Sequence, residues 1–263
     1  MKRISILIAM GAILTFLVVA CGGGGAPPTS LPVPTQPSAV TRPPAAEGYQ
    51  GGTVSNGGTI SGKATYSGAA MAPESVEVDK DLEVCGTSIE VAKVETDASG
   101  GLANAVIRIT DIKSGKPLDS LGVEFVLDQK KCEYVPHVVV VPVGSALTVL
   151  NSDGILHNIH TTPFDNAPLN KAQPATQKEL MSDPFTVPEF IPVGCDVHKW
   201  MNATIVATDN PYVVVTGEDG SFSLDDVPAG TYTVEVWHMD LDKQTLTVTV
   251  EAGKTATADA EFK

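Results

Sequence analysis

Four side chains stand out by type and spacing. Cys195, His198 and Met201 follow one another at intervals of three, and His157 lies upstream, just after the apolar stretch Ala146 to Asn151. One thiolate, two imidazoles and a weak thioether make the donor set of a type 1 (blue) copper centre, which is trigonal with a long axial sulfur. Copper(I) favours soft sulfur and copper(II) favours nitrogen. A mixed set therefore serves both valences with little rearrangement, which is what one-electron exchange requires.

Such a set needs rigid β elements around it, and the chain is rich in them. His137 to Val143 is a continuous β-branched run, as in a strand buried on both faces. Ala105 to Ile109, Ala146 to Asn151, Thr204 to Ala207, Ser221 to Leu224, Thr231 to Trp237 and Thr245 to Val250 read as further short strands, separated by turn signals. Only 172–182 has the pattern of a short helix. The expectation is an all-β chain built of β-sandwiches.

Residues 1–20 read as a lipoprotein signal peptide: Lys2 and Arg3, an apolar run from Ile4 to Val19, then small residues before Cys21. Cys21 is the expected lipidation site. Residues 21–57 are rich in Gly, Pro, Ser, Thr and Ala and read as a tether. The folded part is thus expected outside the cytoplasm, at the cell surface or in the periplasm, anchored to the membrane by lipid. Without Lys2 and Arg3 the chain holds 15 basic and 31 acidic residues, a net charge of −16. That surface excludes nucleic acid and favours a basic partner.

With Cys21 lipidated, three cysteines remain, and an odd thiol in an oxidising compartment needs a reason. The simplest partition joins Cys85 to Cys132 as a disulfide and leaves Cys195 for metal. The alternative pairs Cys195 with one of the two. Cys195 alone has a His and a Met at ligand spacing, which favours its use as a ligand.

Two resemblances overlay this reading. Val141-Pro142-Val143-Gly144, His157-Asn158-Ile159-His160 and Cys195-Asp196-Val197-His198-Lys199-Trp200-Met201 resemble the motifs of small cupredoxins of the amicyanin and plastocyanin kind. Gly58-Thr-Ile-Ser-Gly, Ala103-Asn-Ala-Val-Ile-Arg-Ile, Thr216-Gly-Glu-Asp-Gly-Ser-Phe-Ser-Leu and Val227-Pro-Ala-Gly-Thr-Tyr resemble the carboxypeptidase regulatory-like β-sandwich. The implied layout is a cupredoxin Greek-key sandwich over 119–207, between the two parts, 58–118 and 208–263, of a second small sandwich; the alternative is two consecutive domains with a boundary near 208.

The first resemblance implies one type 1 copper ion bound by His157, Cys195, His198 and Met201. It also implies that Asn158 ties the two ligand segments together by hydrogen bonds, and that His198 reaches the surface through an apolar patch where the electron leaves. Trp200 belongs to that patch or packs beneath the loop. The chain departs from the pattern at Asp196-Val197, where a proline is common, at Val193, usually aromatic, and at Lys199. Asp196 beside the thiolate is expected to lower the reduction potential.

The expected role is an electron carrier serving a redox partner such as a cytochrome or a dehydrogenase. The second reading is a copper module for delivery, storage or sensing. An enzyme is not expected, because the remaining histidines, His137, His160 and His238, are scattered, which leaves an additional catalytic centre without ligands.

Overall fold

The computed structural model describes residues 48–263. The signal segment 1–20, Cys21 and the tether up to residue 47 lie outside the described residues.

The described chain is all β apart from one helical turn, Leu82–Cys85, and a short 3-10 turn, Leu118–Leu121. Its strands form two sandwiches. In the first, one sheet has the order Val213–Val215, Val106–Ile109, Gly230–His238, Leu241–Val250. The other has Ser221–Val227, Gly58–Tyr66, Thr255–Thr257, with Ala260–Phe262 also pairing to Gly58–Tyr66. Ile60, Ile107, Ile109, Leu224, Val234, Val236 and Phe262 fill the space between them.

The strands of the second sandwich all come from the intervening chain. One sheet runs Glu179–Met181, Thr148–Asn151, Val126–Lys130, Glu133–Val135. The other runs Asn170–Gln173, His157–Thr161, Glu189–Gly194, Asn202–Thr208, Val138–Pro142. Leu127, Val139, Val141, Val149, Ile159, Ile191 and Ile205 form its core.

The unbroken apolar run Val138–Pro142 now has a physical reason. Val139 and Val141 point into the second core, while Val138 and Val140 join Val106, Val206 and Val213 in a third cluster that draws on both sandwiches. A strand covered on both faces has no use for polar alternation. At the same junction Phe190 and Trp237 pack with centroids 4.3 Å apart, and the Arg108 guanidinium lies 4.5 Å over the Phe190 ring.

Three expectations need correction. The segment 172–182 is not helical: it lies in the strands Asn170–Gln173 and Glu179–Met181, because Leu180 is needed in the core and Gln173 bonds to Gln129 Nε2 at 2.6 Å. Tertiary burial overrides a weak local preference. Residues 48–57, assigned to the tether, are folded: Gln50–Gly51 pairs with Ser114–Gly115, and Tyr49 packs edge-on against Tyr212.

The third concerns part of the segment 58–118. Glu74–Glu77 and Ser88–Val91 pair only with each other, and Val78 and Cys85 from this hairpin are buried in the core of the other sandwich. The cause is the Cys85–Cys132 disulfide, with Cα atoms 5.3 Å apart, which ties the hairpin there.

Candidate metal centre

Sheet pairing assembles the site. Glu189–Gly194 lies between His157–Thr161 and Asn202–Thr208, with Gly194 opposite both His160 and Asn202. The loop 195–201 therefore leaves and re-enters the sheet at one end, close to where His157 starts its strand. His157 at one strand end comes to the loop that carries Cys195 and His198 because their strands are neighbours.

His157 and His198 are both fully buried, and Cys195 and Met201 sit in the second core. Cys195 is a free thiol, so the disulfide alternative for it does not occur. Donor atoms of His157, Cys195 and His198 lie within 4.8 Å of one another. The two Nδ1 atoms face each other at 3.1 Å, and Cys195 Sγ accepts the His198 backbone N–H at 3.4 Å. Met201 donates its N–H to His198 O, which closes the turn.

The outward nitrogens are held by carboxylates. His157 Nε2 is 2.9 Å from Asp153 Oδ2, and His198 Nε2 is 3.0 Å from Asp81 Oδ2. A neutral imidazole that donates from Nε2 keeps its Nδ1 lone pair free for a metal, and here the two Nδ1 atoms face each other. Burial, the largest influence, holds the His157 pKa below its ordinary value; the bond to Asp153 opposes this and nearby His198 adds to it. Burial thus favours the neutral ring, the form that can ligate.

Further bonds hold the two ligand segments. Asn158 Oδ1 accepts the Asp196 N–H at 2.9 Å, and Asn158 Nδ2 donates to Asn170 Oδ1 at 2.8 Å. The Tyr134 hydroxyl sits 2.6 Å from Asn158 O and 3.0 Å from Gly194 O, its proton serving one at a time. Burial, and then the nearby Cys195, push the Tyr134 pKa up. Cys132 N–H donates to Asp153 Oδ2 at 2.8 Å, so the disulfide segment also positions the carboxylate on His157.

Two expectations change here. His198 does not reach the surface: the turn around Asp81, brought in by the Cys85–Cys132 bond, closes over its outer edge. Trp200 lies half-buried, 5.2 Å from the His198 ring, with its indole N–H on Cys132 O at 3.0 Å, so it belongs to this cover and packs against the core. Asp196 is not a lone charge, since His160 Nδ1 lies 3.1 Å away and Lys199 Nζ 3.6 Å away.

His137 Nε2 is 3.0 Å from Met239 Sδ, and buried His238 accepts the Asp240 N–H at Nδ1. Among the described residues, neither they nor His160 join three converging donors. The carboxylates Asp81 and Asp153 were missed in the sequence. Asp153, four residues before His157 in a Ser-Asp-Gly turn, could have been noticed; Asp81 is visible only through the disulfide three-dimensionally.

The family model of the carboxypeptidase regulatory-like domain matches residues 200–263. No curated protein matches the chain. Solved structures similar to part of it include a copper-containing nitrite reductase from Thermus scotoductus SA-01, at 17% identity over 38% of this chain and 25% of that one, TM-score 0.31. A purple cupredoxin from Nitrosopumilus maritimus is 18% identical over 33% of this chain and 99% of its own, TM-score 0.27. Amicyanin from Paracoccus versutus is 16% identical over 39% of this chain and 97% of its own, TM-score 0.28. The chain thus spans a quarter of the length of the nitrite reductase.

Proposed function

We propose that this chain is an extracytoplasmic, lipid-anchored type 1 copper protein that carries single electrons between redox partners. The observation that supports this most is the buried meeting of one free thiol with two imidazoles whose Nδ1 atoms face each other while both Nε2 atoms are held by carboxylates. His157, Cys195 and His198 would hold the ion, with the Met201 thioether as a further, weaker donor. When bound, copper supplies reversible one-electron exchange.

The protein supplies rigidity and dryness. Donors fixed by strand pairing and by carboxylate bonds have little freedom to follow a change of valence, which keeps rearrangement small. The buried core excludes water from the thiolate. The excess of acidic side chains favours a redox partner with a basic docking face. Membrane attachment through Cys21 is part of the same proposal, and loss of fatty-acid labelling in Cys21→Ala would support it.

The direct test is addition of copper(II) to the purified, disulfide-intact protein. An intense visible band near ~600 nm, absent from Cys195→Ala, is expected of a trigonal thiolate site. No band in the folded wild-type protein would overturn the reading. A reversible midpoint potential separates a carrier from a copper-delivery module, which would instead hand the ion to an acceptor.

A further inference from the structure

A second convergent donor set lies against the first. The sulfurs of Cys85 and Cys132 and a ring nitrogen of His198 lie within 4.8 Å of one another, and all three residues are buried. The two sulfurs are bonded to each other, and in that form neither is a thiolate ligand. We propose that this disulfide masks a soft-metal site: once reduced by a dithiol, Cys85 and Cys132 become two thiolates that bind monovalent copper together with His198.

The chemistry is balanced by ordinary exchange. A thiolate of the dithiol attacks one sulfur, the Cys85–Cys132 bond breaks, and the second thiol of the reductant releases the mixed disulfide. Two electrons and two protons are left on Cys85 and Cys132, and the reductant departs as its own disulfide. Monovalent copper then displaces the thiol protons. Two thiolates and an imidazole suit that soft ion better than a divalent hard one.

The local structure keeps these donors together after the sulfur–sulfur bond is cut. Cys132 is held by its own backbone: its N–H donates to Asp153 and its carbonyl accepts the Trp200 indole. Cys85 belongs to a turn whose N–H groups at 84, 85 and 86 bond back to Asp81 and Leu82, with a paired strand on either side. Asp81 stays on His198 Nε2, so His198 would meet this ion through Nδ1, the nitrogen it otherwise turns to His157, and the two ions exclude one another. The turn also lies at the surface, with Leu82 52% exposed and Cys85 itself 7% exposed. The bonds within the turn and at Cys132 do not pass through the sulfur–sulfur bond, and Asp81 on His198 is the contact that holds the turn in place once that bond is cut.

Cys195 is not part of this set, so a Cys195→Ser protein reports on it alone and leaves the electron-carrier reading untouched. The protein is treated with a phosphine reductant or left untreated, freed of reductant, and titrated with copper(I) against a chromophoric copper(I) chelator. Untreated protein is expected to take up no copper from the chelator, and reduced protein about one equivalent, as a single two-thiolate site requires. Adding Cys85→Ser or His198→Ala to Cys195→Ser should abolish that uptake. Equal uptake with and without reduction, or uptake that survives either added substitution, overturns the proposal. So does loss of the β-sheet circular dichroism on reduction, since the donors would then no longer be assembled.

Discussion

Asp81 and His198 are 117 residues apart in the chain, yet the Asp81 carboxylate sits 3.0 Å from the outer nitrogen of the His198 ring. With Asp153 on the other imidazole at 2.9 Å, two carboxylates from different segments hold two rings whose Nδ1 atoms face each other at 3.1 Å. Both segments meet at the Cys85–Cys132 disulfide, because Cys132 bonds Asp153 and Cys85 ends the turn that begins at Asp81.

These carboxylates should govern how tightly the ion is kept. Asp153→Asn or Asp81→Asn is expected to weaken copper retention by about 10–100-fold, the usual effect of removing a partner behind an imidazole ligand. Chelator competition at equilibrium measures it. Retention equal to wild type in both variants would show that the rings are aimed by packing alone.

The disulfide should also stabilise the fold. It closes a span of 47 residues, and removing it by the double replacement Cys85→Ala, Cys132→Ala should cost about 2–4 kcal/mol in urea unfolding. A change under ~0.5 kcal/mol would mean that the hairpin 74–91 is held by its other contacts.

Arg108 joins the two sandwiches. Its guanidinium lies 2.7 Å from Glu235 Oε1 and over the Phe190 ring, and Glu235 is nearly buried. Arg108→Ala leaves that carboxylate to Lys243 alone and is expected to destabilise by about 1–3 kcal/mol. Arg108→Lys should restore part of the ion pair but not the stacking. Denaturation midpoints of the two variants check both statements.

Acid should destabilise the metal-free protein. Burial is the largest influence on His137, His157 and His238, and it holds all three pKa values below the ordinary value of 6.5. The unfolded chain then binds more protons than the folded one just below ~6.5, so stability present above that pH is lost as pH falls toward each folded-state value. The urea midpoint should drop between about pH 7 and pH 5, and drop less in His238→Gln. A flat profile across that range would contradict the burial of these rings.

Much of the architecture is written locally. Alternation in 221–227 and 241–250, the unbroken apolar run at 138–142 and the three-residue spacing from Cys195 to Met201 are short-range patterns, and strands and loops answer to short-range patterns. Such patterns placed Cys195, His198 and Met201 on one loop and isolated Cys195 from the other cysteines. They did not carry the helix expected at 172–182, where a weak preference met the core's need for Leu180.

The cover over His198 is different in kind. It depends on Asp81 and Cys85 reaching a loop more than a hundred residues later, and on Tyr134 and Asn158 bridging strands that are only neighbours in the folded sheet. No periodicity encodes a contact between segments so far apart, because its free energy exists only after the sheets have stacked. The sequence by itself therefore determined the donors and the β character; whether the second imidazole faces water or a carboxylate was decided only by the tertiary structure.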